Sequence, residues 1–170
     1  ASVRPRALIG PDDKVLLPRI LALASRGWFP AIRGGRALIE LTDVRDAAHA
    51  LVKADQNLER AAGKAINISG GSPMSVADLV GKLGAALGRP VTLRPVPVEL
   101  ALVVARVAEI VCSLLPARPE PRLTTYGVAT LAYTQTFNLA RARELLDFEP
   151  FHDAVSTAQL LATRSAASPP

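Results

Sequence analysis

Hydrophobic positions along the chain alternate between short continuous runs and longer helical spacings. The run over residues 3–9 predicts a short buried strand, closed by the turn Gly10-Pro11-Asp12-Asp13. Pro18 suits the first turn of a helix reaching about Arg26, with Gly27 as its stop. Pro30 and Gly34-Gly35 mark a loop with room for a short strand, and 37–42 is the next apolar run. Asp43 is placed to cap a helix over 44–54, with Asp46 near its positive end. Residues 64–69 read as a strand closed by Gly70-Gly71. Ser75-Val76-Ala77-Asp78 opens a helix in the manner of a capping box and puts Val76, Leu79, Val80, Leu83 and Leu87 on one face; Gly88 and Pro90 stop it. After a strand over 91–93, Pro97 begins a longer helix with Val103, Val104, Val107, Ile110, Val111, Leu114 and Leu115 at helical spacing. Arg106 and Glu109 lie on its other face, three apart, placed for a weak pair. Pro116, Pro119 and Pro121 make a stiff connection. Thr124 or Thr125 caps a helix through Tyr133, Asn138 caps another over 139–146, and a last helix covers about 153–163.

Short strands alternating with helices imply an α/β fold. The strands are few, far apart and too short for an independent sheet. The sequence has no initiating methionine and opens inside a strand, which suggests part of a larger structure. The expected organisation is a folded portion over 1–164 and a disordered tail over 165–170.

Composition changes this picture little. A length of 170 residues allows one ordinary domain, and 49% apolar with 21% charged residues excludes a disordered polymer. One cysteine excludes a disulfide framework, and with two histidines a Cys/His zinc site is not expected. Aromatic residues at 4% argue against a base-stacking surface. Net charge is +5, yet the arginines are scattered singly and no run of four basic residues occurs, so no nucleic-acid partner is expected. The start lacks the pattern of a signal peptide. The apolar stretch 96–115 carries Glu99, Arg106 and Glu109, each costing roughly 2.5–3.5 kcal/mol at a bilayer centre, so a spanning helix is not expected. A cytoplasmic protein is the expectation, with association at a membrane surface left open.

Self-contained chemistry is hard to find. The spaced glycines Gly81, Gly84 and Gly88 lie in and at the end of a helix with no preceding strand, so they read as helix packing rather than a phosphate loop. No Walker loop and no Gly-x-Ser-x-Gly elbow occurs. His49 and His152 lack metal-ligand spacing and read as structural or solvent-facing. Cys112 reads as a small packing residue on the long helix. Asp12-Asp13 reads as turn chemistry, and Asp43 and Asp46 as helix capping. No catalytic residue and no metal ligand is assigned to the chain.

Five segments in order resemble the C-terminal half of an extended short-chain dehydrogenase/reductase, in its NAD-dependent epimerase/dehydratase and 3β-hydroxysteroid dehydrogenase/isomerase branches. Arg4-Pro5-Arg6-Ala7-Leu8-Ile9-Gly10-Pro11-Asp12-Asp13 resembles the family's strand and turn of the RPxxxYGPGD type. Gly34-Gly35-Arg36 through Thr42-Asp43-Val44-Arg45-Asp46-Ala47-Ala48 resembles its G-x-G…VxDxAxA segment. Gly63-Lys64-Ala65-Ile66-Asn67-Ile68-Ser69-Gly70-Gly71 resembles GxxYNIGGG, and 75–88 the helix after it. Phe137-Asn138-Leu139-Ala140-Arg141-Ala142-Arg143-Glu144-Leu145-Leu146-Asp147-Phe148-Glu149-Pro150 resembles fDxxKAxxeLGfxP.

The resemblance implies the C-terminal portion of a Rossmann-type NAD(P)-binding fold plus a small substrate-binding α/β subdomain. The dinucleotide-binding half, with its glycine loop and its Tyr-x-x-x-Lys pair, would lie upstream. Tyr126 and Tyr133 cannot substitute, because Thr130 and Phe137 stand where the lysine would be. The chain alone is therefore expected to be inactive and to need that half as its partner. The cofactor implied is NAD or NADP, with Pro5 either on the nicotinamide side or simply a strand-edge proline. The same match gives Ala7, Leu17 and Ile39 as substrate-binding residues. In nucleotide-sugar members the position of Ala7 is commonly asparagine and that of Ile39 commonly an arginine for the diphosphate. Another arginine usually precedes the segment matching Thr136-Phe137, and none lies between Arg122 and Arg141 here. A buried diphosphate needs such partners. These absences, with Ala7 and the long apolar helix over 97–115, suggest a hydrophobic pocket, so the expected substrate is small and apolar, steroid-like, carrying a hydroxyl or keto group. The rival readings are a sugar-nucleotide epimerase/dehydratase and an NmrA-like non-catalytic binding protein.

Overall fold

A computed structural model describes residues 1–116, 121 and 123–167. In chain order the elements are β1 (Ser2–Pro5), β2 (Leu8–Ile9), α1 (Leu16–Ala24), β3 (Trp28–Ile32), a 3-10 turn (Arg33–Gly35), β4 (Leu38–Ile39), β5 (Thr42–Asp43), α2 (Val44–Gln56), α3 (Leu58–Ala61), β6 (Ala65–Ile68), β7 (Met74–Ser75) and α4 (Val76–Ala86). They continue with β8 (Thr92–Val96), α5 (Val98–Leu114), α6 (Thr125–Ala132), α7 (Ala140–Leu146) and α8 (Ala154–Ala167).

The described strands form four separate pairs. Three are parallel, β1 with β6, β2 with β5 and β3 with β8; β4 and β7 are antiparallel. Parallel partners need covered faces, and each pair sits against helices. Ile66 and Ile68 of β6 pack with Ala50, Ala54, Leu146 and Phe148, contributed by α2, α7 and the residues after α7. Ile9, Leu17, Leu41, Leu79, Leu83, Val155 and Ala158 form a second cluster joining α1, α4 and α8. Ile32 packs with Ala101, Ala105, Val128 and Ala132 of α5 and α6.

Capping follows the sequence closely. Asp43 accepts from the Arg45 amide at the start of α2, Ser75 from the Asp78 amide at the start of α4, and Thr124 from the Gly127 amide at the start of α6. Asn138 accepts from the Ala140 amide at 2.7 Å, although the residue flanking α7 is Leu139.

Four expectations are corrected. The strand over 3–9 is two strands, because Ala7 takes a left-handed conformation, φ +46°, and the chain changes partner from β6 to β5 there. Nor is it buried throughout, since Ser2, Arg4, Pro5 and Leu8 are exposed. Pro30 lies inside β3 rather than in a loop, paired in register with Arg94 of β8. The apolar stripe of α5 faces solvent, and the helix packs instead through Ala101 and Ala105, whose small side chains allow close approach. Finally, α8 runs through Ala167, into the segment expected as a tail; residues 168–170 lie outside the described residues, as does most of the proline-rich connection.

Candidate functional site

Parallel α/β sheets bind ligands beyond the carboxyl ends of their strands. β1 and β6 end side by side at Pro5 and Ile68. Beyond Pro5 the chain kinks at Arg6-Ala7, and the buried Thr42 holds both carbonyls. The Thr42 hydroxyl donates to the Arg6 carbonyl, and the Thr42 amide donates to the Ala7 carbonyl at 3.0 Å. The Arg6 side chain turns toward α6. Its Nη1 donates to the Tyr126 hydroxyl at 2.7 Å, and its guanidinium lies 5.9 Å from the Tyr126 ring centre and 5.8 Å from that of Phe137. Both distances suit cation–π attraction. The strand end therefore presents an exposed proline beside a guanidinium framed by two aromatic rings.

The residues expected from the sequence separate into two places. Pro5 is exposed at the strand end. Leu17 is buried in the cluster beneath α1, and the half-buried Ala7 and Ile39 both pack against that cluster together with Met74. Ile39 is fixed on both sides: β4 pairs with β7, and Ile39 bridges to Gln135. Ala7, Leu17 and Ile39 thus share one apolar wall, and Pro5 stands outside it. Leu17 also lines an open groove of about 950 Å³ with Pro18, Leu21, Leu87 and Leu161, which Ala7 and Ile39 do not reach.

Arg6, Tyr126 and Phe137 have no assigned role in the sequence reading. The Arg6–Tyr126 contact spans 120 positions, and neither residue's local pattern announces it.

The buried acids are occupied structurally. Glu40 accepts from the Ser69 hydroxyl and, at 3.2 Å, from the Phe137 amide. Asp43 accepts from the Arg45 guanidinium at 2.7 and 2.8 Å and from the Thr157 hydroxyl at 2.7 Å. The guanidinium beside it, helped by Thr157, holds the Asp43 carboxyl well below the usual carboxylate range, against the opposing effect of burial. Asp46, expected as a helix-end charge, does more: it accepts from the Phe151 amide at 3.1 Å and the His152 amide at 3.0 Å and meets His152 Nδ1 at 2.7 Å. His152 borders a cleft of about 230 Å³ with Ser72, Phe151 and Asp153.

A dinucleotide needs a glycine turn whose open side admits the pyrophosphate. Gly10 and Gly70 follow β2 and β6, and at both the space is filled by protein. A Cβ at Gly10 would lie 2.6 Å from Val44 Cγ1, and one at Gly70 would lie 2.5 Å from the Leu41 carbonyl oxygen. Gly84 likewise serves packing, its missing Cβ leaving room for Val91 at 2.7 Å, whereas Gly81 faces open space. The described residues do not fit a pyrophosphate cradle.

No family model matches the chain. It is 32% identical over 87% of its length to the protein YbjS of Escherichia coli. It is 30% identical over 88% to the 2-alkyl-3-oxoalkanoate reductase of Stenotrophomonas maltophilia, and 28% identical over 87% to the 3beta-hydroxysteroid-dehydrogenase/decarboxylase isoform 2 of Arabidopsis thaliana. The chain spans less than half of each relative: 44%, 46% and 28% of their lengths. Among solved structures it superposes on an epimerase from Methanothermobacter thermautotrophicus with a TM-score of 0.63 at 18% identity, covering 96% of this chain and 43% of that one. It superposes on the UDP-glucuronic acid 4-epimerase of Bacillus cereus in complex with NAD at 0.61 and 14%, covering 96% and 42%. The chain is thus similar in sequence to parts of reductases and dehydrogenases and in fold to parts of NAD-dependent epimerases, in keeping with its resemblance to the C-terminal half of an extended short-chain dehydrogenase/reductase. Its sequence relatives with assigned activities include reductases and 3β-hydroxysteroid-type dehydrogenases, and its structural neighbours include UDP-sugar epimerases that share the fold.

Proposed function

We propose that the protein acts as an NAD(P)-dependent oxidoreductase on a hydroxyl or keto group of a small apolar, steroid-like substrate, and that this chain supplies the substrate-side wall. The observation that carries the reading is the position of Ala7 and Ile39. Where nucleotide-sugar enzymes of the resembled family commonly carry asparagine and arginine, these two side chains pack on one apolar cluster with Leu17 and Met74. A diphosphate against that wall would lie desolvated without a charged partner, a large cost. An alkyl or sterol skeleton would bury its own apolar surface there instead, worth about 25 cal/mol per Å². The names of the relatives support the same chemistry, since they act on alkyl oxoalkanoates and hydroxysteroids. In this reading Pro5 borders the nicotinamide and the Ala7 kink shapes the floor beside it. The dinucleotide and the proton-transferring tyrosine are the business of residues outside this chain.

The test is binding to the full-length protein loaded with NAD(P). A 3β-hydroxysteroid and a 2-alkyl-3-oxoalkanoate are titrated against UDP-glucose by calorimetry. Saturable binding of an apolar ligand with none of UDP-glucose supports the reading. Saturable binding of UDP-glucose alone contradicts it and supports a sugar-nucleotide enzyme.

A further inference from the structure

We infer, resting on the reading above, that Arg6 takes a carboxylate on the substrate, so that the ligand is an apolar hydroxy or keto acid rather than a neutral alcohol or ketone. Arg6 is half-buried, whereas every other arginine among the described residues is exposed. An exposed guanidinium is satisfied by water. A half-buried one gives up part of that hydration and needs acceptors in return. Among the described residues, the Tyr126 hydroxyl, 2.7 Å from Nη1, is the one acceptor of the Arg6 side chain, and no carboxylate pairs with it.

The side chain is held ready for such a group. Its backbone is pinned on both sides: the Arg6 amide donates to the Ile68 carbonyl at 3.1 Å, and the Arg6 carbonyl accepts from the Thr42 hydroxyl. The rings of Tyr126 and Phe137 hold the guanidinium at 5.9 and 5.8 Å. Both rings are anchored in turn. Thr124 caps the first turn of α6, where Tyr126 lies, and the Phe137 amide donates to the buried Glu40 at 3.2 Å. A free arginine loses much rotamer freedom when it binds a ligand; here the fold has taken that loss beforehand. The remaining N–H groups form a planar fork that matches a carboxylate. Tyr126 accepts from Arg6, so its own hydroxyl proton stays available to the same carboxylate.

The place of Arg6 in the chain fits a substrate contact. It stands between Pro5, at the carboxyl end of β1, and Ala7, which packs on the apolar cluster with Leu17 and Ile39. Consecutive residues lie about 3.8 Å apart. A ligand with its skeleton against Ala7 and its reacting carbon near Pro5 therefore passes Arg6 with the atoms close to that carbon. A carboxylate there is matched by one guanidinium. A diphosphate brings charge beyond what one guanidinium neutralises, and Ala7 and Ile39 add none.

Turnover by the full-length protein with NAD(P) tests this on a matched pair, a 2-alkyl-3-hydroxyalkanoate and its methyl ester. Wild type is expected to show kcat/KM at least about tenfold higher for the acid than for the ester, through a lower KM. Arg6→Gln is expected to bring that ratio to about one. Arg6→Lys, which keeps the charge and loses the fork, should leave it in between. A ratio of two substrates on one protein is insensitive to a general loss of folded enzyme, and the wild-type ratio needs no variant at all. Equal turnover of acid and ester by wild type would overturn the inference while leaving the apolar-substrate reading standing. A preference for the acid that Arg6→Gln leaves intact would overturn it too, and would assign the Arg6 donors to a structural contact. Turnover of UDP-glucose with neither compound would overturn the substrate reading itself, and this inference with it.

Discussion

His152 Nδ1 lies 2.7 Å from Asp46 Oδ1, joining the start of α2 to the turn before α8 across 106 positions. The other carboxylate oxygen of Asp46 takes the backbone amides of Phe151 and His152. One fully buried carboxylate thus fixes where the C-terminal helix begins, and with it the Val155 and Ala158 contacts that close the cluster under Ala7, Leu17 and Ile39.

Removing that acceptor strands three donors. Asp46→Ala is expected to lower unfolding free energy by about 2–4 kcal/mol. His152→Ala, which leaves both backbone donors satisfied, should cost distinctly less. Urea denaturation of the three proteins decides this, and equal losses for the two variants would show that the backbone contacts carry no weight.

Asp43 governs the acid limb of stability. Its folded-state pKa is depressed, foremost by hydrogen bonds from Arg45. A depressed carboxylate contributes stability above its unfolded pKa and loses it as pH falls toward the folded one. The stability gap between wild type and Asp43→Asn should therefore be full above about pH 5 and narrow steadily toward about pH 2. Thermal melts across that range measure it, and a gap independent of pH would refute the assignment.

Two glycines of α4 should respond oppositely to alanine. A Cβ at Gly84 meets Val91 at 2.7 Å and the Arg89 carbonyl oxygen at 2.9 Å, so Gly84→Ala should cost about 1–3 kcal/mol. Gly81 is exposed with nothing within 4 Å, so Gly81→Ala should gain about 0.5–1 kcal/mol from helix propensity alone. Equilibrium unfolding of both variants reads the signs directly.

These cases mark where sequence reasoning reaches. Asp43, Ser75 and Thr124 cap the helices they precede because capping is a contact over two or three residues. The order of strands and helices, and the family resemblance, are carried by local motifs in the same way. Periodicity located the stripe of α5 but not its direction. Ala101 and Ala105 look unremarkable beside seven larger apolar residues, yet small size is what lets α5 approach α6 and β3. The break of the first strand rests on the Thr42 contacts to Arg6 and Ala7, some 36 positions away. The site divides likewise. Motif alignment singled out Ala7 and Ile39, which pack against one apolar cluster. The framing of Arg6 by Tyr126 and Phe137 was not legible in the sequence, because three distant segments meet there.

The apolar wall is the central claim, and the most direct measurement is nicotinamide-linked turnover by the full-length protein, compared between wild type and Ile39→Arg. The account predicts turnover of a 3β-hydroxysteroid or 2-alkyl-3-oxoalkanoate and none of UDP-glucose. A charge set into the wall should lower kcat/KM for the apolar substrate at least about tenfold, equivalent to about 1.4 kcal/mol. Turnover of UDP-glucose by wild type, or an Ile39→Arg protein as active on the apolar substrate as wild type, would contradict it.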